Sequence, residues 1–257
     1  MKKIVTPFLI VLALGAFNML AAQEYKLSVS GNKTLKLHEV GEVQITGYEG
    51  SDLIFSTEVD RDEDSERAEG LKALSAMGLV DNTGIGLSVI ESGDVIDVNP
   101  MSKRSGPEYE IKVPKNVKVF YEHSTPYGDK VIIKNITSEL EVSTNHSDLW
   151  LENITGPMTI NTVHGDIEAI FSELNQQSPT SIISVHGLVD ITLPAATKAN
   201  LSLSTEWGEI YTDMDIAIEN ESDSKSNTTK IKGKLNGGGV PLEIGTSHSN
   251  IYLRKKK

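Results

Sequence analysis

The feature that most constrains the fold is repetition. Lys134-Asn135-Ile136-Thr137-Ser138-Glu139-Leu140-Glu141-Val142 returns eighteen residues later as Glu152-Asn153-Ile154-Thr155-Gly156-Pro157-Met158-Thr159-Ile160. The copies continue in step, with Asn145-His146-Ser147-Asp148-Leu149 answered by Val163-His164-Gly165-Asp166-Ile167. A ring-bearing residue followed by a small one then recurs as His186-Gly187, Trp207-Gly208 and His248-Ser249, at steps of 22, 21 and 41, the last close to twice the period. Tyr127-Gly128 is a looser copy upstream. Units of about twenty residues cannot bury an apolar face alone, so the chain must build its core by stacking them.

Aligning the copies on the ring-bearing marker gives two aliphatic columns. Four positions before it stand Val142, Ile160, Ile182, Leu203 and Ile244, and three after it stand Leu149, Ile167, Val189, Ile210 and Ile251. Five after it come Leu151, Ala169, Ile191, Thr212 and Leu253. Each unit therefore supplies two short alternating strands joined at a corner made by the marker and its Gly or Ser. Like residues stack when rungs lie about 4.8 Å apart, which predicts a single-chain all-β solenoid of roughly 20-residue rungs, a β-helix-like stack. The same units could instead pair as antiparallel hairpins of a sandwich with His-Gly or Trp-Gly in the loops. The near-identity of the Asn-Ile-Thr copies favours parallel stacking.

Period-2 alternation extends upstream, through Leu35/Leu37, Val43/Ile45, Leu87/Val89, Ile111/Val113 and Val117/Val119/Tyr121. One stretch departs from it. Asp60 to Glu69 is a charge cluster leading into Leu71, Leu74 and Met77, whose spacing predicts a short helical insertion near 62–77, closed at Gly78. Glu219 to Lys230 lacks apolar periodicity and reads as a loop. Asn236-Gly237-Gly238-Gly239 is a tight turn, without the Lys and Ser/Thr of a phosphate-binding loop. The expected organisation is a leader over 1–22, an N-terminal β region with the helical excursion over 23–108, and the repeat solenoid over 109–257.

The leader reading rests on the basic start Met1-Lys2-Lys3, the apolar run Ile4 to Phe17 and small residues up to Ala22. This is the pattern of a secretory signal cut after Ala22. The run is shorter than the roughly 20 apolar residues that span a bilayer, so no stable transmembrane anchor is expected after cleavage. The chain has no Cys, which removes a lipid-modified cleavage point and a disulfide framework. The net charge is −12, and −14 without Lys2 and Lys3. Such acidity argues against nucleic acid as a partner. The expected location is the periplasm, the cell surface or the extracellular space.

In its motifs the chain resembles a family of bacterial putative-adhesin domains of unknown function. The resemblance lies in Tyr109-Glu110-Ile111-Lys112-Val113-Pro114, the corners Gly128-Asp129 and Gly165-Asp166, Leu193-Pro194-Ala195-Ala196-Thr197-Lys198-Ala199, and Asn236-Gly237-Gly238-Gly239-Val240-Pro241-Leu242. It covers roughly Tyr109 to Leu253 and implies a β-helix-like stack, export and envelope or surface residence, with no known reaction. The chain departs from the family habit by placing His or Trp where Asn commonly precedes the corner Gly.

That departure marks the candidate ligand-binding residues: His146, His164, His186, Trp207 and His248. Imidazoles on adjacent rungs could share a transition metal. Trp207 and Tyr127 in the same column favour a ladder of stacked rings instead, so no metal and no cofactor is expected. Asp148 and Asp166 stand two after their markers, and Asp190 and Glu168 four after, a carboxylate column that paired-acid glycoside chemistry would need. Turn and solvent-face preference explains the same recurrence. A Ser/His/Asp hydrolase is disfavoured because there is no G-x-S-x-G elbow. The Asn-x-Ser/Thr triplets at Asn135 and Asn153 are repeat copies. The sequence thus points to a non-enzymatic adhesin-like scaffold or binding module, with an envelope or surface component or a glycan as partner. The alternative is a carbohydrate-active enzyme on a β-helix scaffold, and self-assembly through the stack ends is a third possibility.

Overall fold

The computed structural model describes residues 23–58, 67, 70–71, 75, 78–102, 106–219 and 228–257. The leader over 1–22 lies outside the described residues, as does most of the expected helix near 62–77 and of the loop over 219–230. No helical element is among those described, and no described helix is long and apolar enough to cross a membrane.

The alternating segments form strands throughout. The N-terminal ones are β1 (Gln23–Ser28), β2 (Thr34–His38), β3 (Val43–Tyr48), β4 (Asp52–Thr57), β5 (Leu87–Ser92), β6 (Val95–Pro100) and β7 (Tyr109–Pro114). The repeats give β8 (Lys118–His123), β9 (Val131–Lys134), β10 (Leu140–Thr144), β11 (Leu149–Ile154), β12 (Met158–Thr162), β13 (Ile167–Phe171), β14 (Thr180–Ser184) and β15 (Val189–Leu193). The chain ends with β16 (Ala199–Thr205), β17 (Ile210–Thr212), β18 (Ile216–Ile218), β19 (Thr229–Leu235), β20 (Val240–Thr246) and β21 (Ile251–Lys255).

Each repeat gives one strand to each of two sheets. The first runs β1-β4-β7-β3-β9-β11-β13-β15-β21-β17 and the second β18-β19-β16-β20-β14-β12-β10-β8-β2-β6-β5. Pairing between rungs is parallel, which settles the choice between solenoid and hairpin sandwich in favour of the stack. The aliphatic columns coincide with the registers. Val142 faces Ile160, Ile160 faces Ile182, Ile182 faces Ile244 and Leu203 faces Ile244 in the second sheet. In the first, Leu149, Ile167, Val189, Ile251 and Ile210 form one line. These side chains are buried except Ile210, which is half-buried on the last rung, and together they make a narrow core between the sheets.

Rung order in space is not rung order in sequence. β20 and β21 slide between the β14/β15 rung and the β16/β17 rung. Near the other end β2 and β3 sit between the β6/β7 rung and the β8/β9 rung. The step of 41 from Trp207 to His248 therefore does not hide a missing rung. It holds β18 and β19, which pair antiparallel with each other, and β19 lies antiparallel on β16 at the end of the second sheet.

Candidate functional site

The threading brings four of the five candidate rings together. His146 stacks on His164 with ring centroids 4.8 Å apart, His164 on His186 at 4.8 Å, and His186 on His248 at 4.6 Å. The middle pair is nearly parallel, at 5° between planes, and all four residues are exposed. Trp207 occupies the next rung beyond His248, with its amide donating to Ser247 O, and is 65% exposed. In sequence order Trp207 would have separated His186 from His248. The centroid distances equal the strand spacing, so the backbone stack, and not attraction between rings, sets the ladder.

Beneath the rings lies a second column. Two residues before each marker the chain carries Thr144, Thr162, Ser184, Thr205 or Thr246, each buried. The Ser184 hydroxyl accepts from Gly187 N–H at 2.9 Å and donates to Gly165 O at 3.2 Å. Thr205 accepts from Gly208 N–H at 3.0 Å and donates to Ser249 O at 2.9 Å, and Thr246 donates to Gly187 O at 2.9 Å. Ser184 and Thr205 thus both close their own corner and tie it to the corner of the neighbouring rung, whereas Thr162 accepts from Gly165 N–H at 3.2 Å within its own corner and Thr246 makes the tie to the neighbouring rung. Thr144 precedes the run, where the neighbouring rung turns through the longer 124–130 connection. Its buried hydroxyl has no partner among the described residues.

The corner glycines are required by close approach. A Cβ on Gly165 would lie 1.8 Å from Ser147 O, on Gly187 1.9 Å from Gly165 O, and on Gly208 1.8 Å from Ser249 O. The marker amides continue the same stitching: His164 N–H donates to Asn145 O, His186 N–H to Val163 O and His248 N–H to Val185 O.

The acids divide into two groups. Asp148 accepts from Asp166 N–H at 2.9 Å, and Asp166 accepts from Leu188 N–H at 2.8 Å. These carboxylates hold successive corners, which accounts for their recurrence. Glu168 and Asp190 are register neighbours on the outer face of the first sheet. Arg254 grips Asp190 through Nε at 2.8 Å and Nη2 at 2.8 Å. The Glu168 carboxyl is held above its ordinary value by desolvation first and by the Asp190 charge second. Asn135 and Asn153 adopt left-handed φ of 58° and 55°, a conformation Asn tolerates, and Asn153 Nδ2 donates to Asn135 Oδ1 at 2.6 Å.

The ladder's chemistry follows from its geometry. Stacked rings occupy one another's faces and leave their edges for solvent, so the surface offers a line of imidazole nitrogens one rung apart. Among the described residues no group of three or more His, Asp or Glu is placed to hold a metal ion. His186 is held below the ordinary imidazole value, first by desolvation within the stack and then by His248 and His164.

Residues 127–254 match the family model described as Toastrack DUF4097. Among solved structures, the chain is similar to a putative cell adhesion protein from Clostridium sporogenes at 12% identity and a TM-score of 0.48, covering 92% of this chain and 100% of that one. It is also similar to a putative adhesin from Bacteroides fragilis at 10% identity and a TM-score of 0.36, covering 92% and 97%. No curated protein matches. Likenesses at these scores leave the reading of the site to the family match and the geometry.

Proposed function

From the premise that residues 127–254 belong to the Toastrack DUF4097 family, we propose that the chain is an exported, non-enzymatic, adhesin-like scaffold whose histidine ladder presents a binding surface. One observation carries this reading: four exposed imidazoles stand on four consecutive rungs, fixed from below by buried hydroxyls and carbonyls. A site on rigid strands loses little conformational freedom when it binds, so a repeating partner such as a glycan or an envelope polymer fits it. The basic start and apolar run before Gln23 support export.

The test is capture of solubilised envelope material and isolated glycans by residues 23–257, beside a variant carrying His146→Asn, His164→Asn and His186→Asn. Saturable capture of one component, lost in the variant, is the expected result. Capture that survives the substitutions moves the binding surface away from the ladder.

A second reading, a carbohydrate-active enzyme, draws on Glu168 and Asp190 lying on adjacent strands with Arg254 beside them. The Arg254 fork already occupies Asp190, which weakens its claim as a nucleophile or base. Turnover of any member of a polysaccharide panel, abolished by Glu168→Gln, would establish this reading; absence of turnover removes it.

A further inference from the structure

The four ends of the two sheets are finished differently. At one end of the first sheet β4 lies antiparallel on β7, and β1 antiparallel on β4. In the second sheet β5 closes one end antiparallel on β6, and β19 with β18 closes the other antiparallel on β16. Three ends thus carry strands that run against the stack. The fourth ends on β17, a three-residue parallel rung that is the last strand of its sheet among the described residues.

The side chains at this end repeat the asymmetry. Tyr211 stacks on Tyr252 with centroids 5.3 Å apart, and no ring covers its other face among the described residues. Tyr211 is 46% exposed and Trp207, at the corner of the same rung, 65%. Within the histidine ladder His164 and His186 have a ring on both sides, whereas Tyr211 and Trp207 lie on the last described rung of the first sheet.

We infer that the open β17 edge is a docking site for an extended, cation-bearing strand of a partner protein, which adds to the first sheet by backbone pairing. Ile251 N–H donates to Glu209 O at 2.9 Å, so alternation along the strand turns the amide and carbonyl of Ile210 and Thr212 to the open side. Such groups are a template for another strand unless something covers them. Charge selects the occupant. Glu206, Glu209 and Asp213 flank the edge: Glu209 accepts from the Tyr211 hydroxyl, Asp213 accepts from the Lys255 amide at 2.6 Å and lies in the field of Arg254, and none of the three is in an ion pair among the described residues, whereas Arg254 and Lys255 on β21 are ion-paired with Asp190 and Asp215. A second copy pairing antiparallel about Tyr211 would set Glu209 against Asp213 of its twin, a like-charge contact that disfavours self-association. A strand bearing Lys or Arg meets the same acids favourably and covers Tyr211 and Trp207. This site is the end of the stack, one rung beyond His248, and goes beyond the ladder reading.

Amide hydrogen exchange on residues 23–257 tests it, with two hexapeptide probes, one alternating lysine and valine, the other glutamate and valine. The lysine peptide is expected to slow exchange at Ile210 and Thr212 by about tenfold or more, the glutamate peptide far less. Thr212→Pro, which removes an outward N–H without touching the bonds to β21, should abolish the effect, while Thr212→Val keeps it. Glu209→Lys should reverse the preference between the peptides. Slowing by neither peptide, or equally by both, overturns the proposal. So does a chain that sediments as a dimer and becomes a monomer with Thr212→Pro, because the occupant is then a second copy. The triple histidine variant should respond to the lysine peptide as the parent does, so failure here leaves the ladder reading intact.

Discussion

At the scale of single residues the corners are where sequence and stability meet most sharply. Gly187→Ala would push a methyl against Gly165 O, a backbone atom that cannot turn aside, and should cost about 2–3 kcal/mol in urea unfolding. Gly41→Ala, with nothing within 4 Å of its added Cβ, should cost well under that. The hydroxyl column gives a second contrast. Ser184→Ala strands the buried Gly187 amide and should lose about 1–3 kcal/mol. Thr144→Val removes a buried hydroxyl with no partner and should be neutral or stabilising, because nothing is lost but a desolvation penalty. The ring-and-Gly markers and the aliphatic columns were readable from the sequence because repetition aligns them. The hydroxyl column stands in the same alignment, two places before the marker, but carries no distinct signal there. A Thr or Ser at a strand end looks like any turn residue until the carbonyl of the neighbouring rung is placed beside it.

At the scale of elements the ladder behaves as one unit because strand spacing fixes the rings. His186 has its proton affinity lowered in the fold, so the folded state binds fewer protons than the unfolded state once pH falls below the ordinary imidazole value of about 6.5. Stability is therefore unaffected above that value and is lost as pH falls through the window beneath it. The urea midpoint should drop between about pH 7.5 and about pH 5.5, and the drop should shrink when His146, His164, His186 and His248 are all changed to Asn. An equal drop in the variant would show that the rings titrate independently of folding. The strands themselves were legible from alternation. The caps were not, because β1, β4, β5, β18 and β19 alternate like any rung and only their pairing partners reveal that they run antiparallel.

At the scale of the whole molecule the decisive fact is that the last rung in sequence is not the last in space. Removing 240–257 would take β20 and β21 from between the β14/β15 and β16/β17 rungs. The shortened chain should lose protection against hydrogen exchange across β16 to β19, as well as at the deleted rung. A stack built in sequence order would lose only its terminal strands. Repetition gave the period, but the step of 41 fits both a skipped rung and an inserted hairpin, and column identity does not distinguish neighbours from next-neighbours when every rung carries the same residue types. That ambiguity concealed both the unbroken run of four histidines and the open β17 edge.

Rung order is thus the claim on which the ladder and the edge both rest, and the absence of native Cys allows a direct test by pairwise cysteine cross-linking. Glu243 is in register with Ser181 on one side and Ser202 on the other. In-register neighbours stand about 4.8 Å apart, within reach of a disulfide, whereas Ser181 and Ser202 are separated by two strand spacings, about 9.6 Å, which is out of reach. Under mild oxidation the Ser181→Cys, Glu243→Cys chain should close a disulfide and the Ser181→Cys, Ser202→Cys chain should not. The reverse result would place the rungs in sequence order, set Trp207 between His186 and His248, and contradict the account.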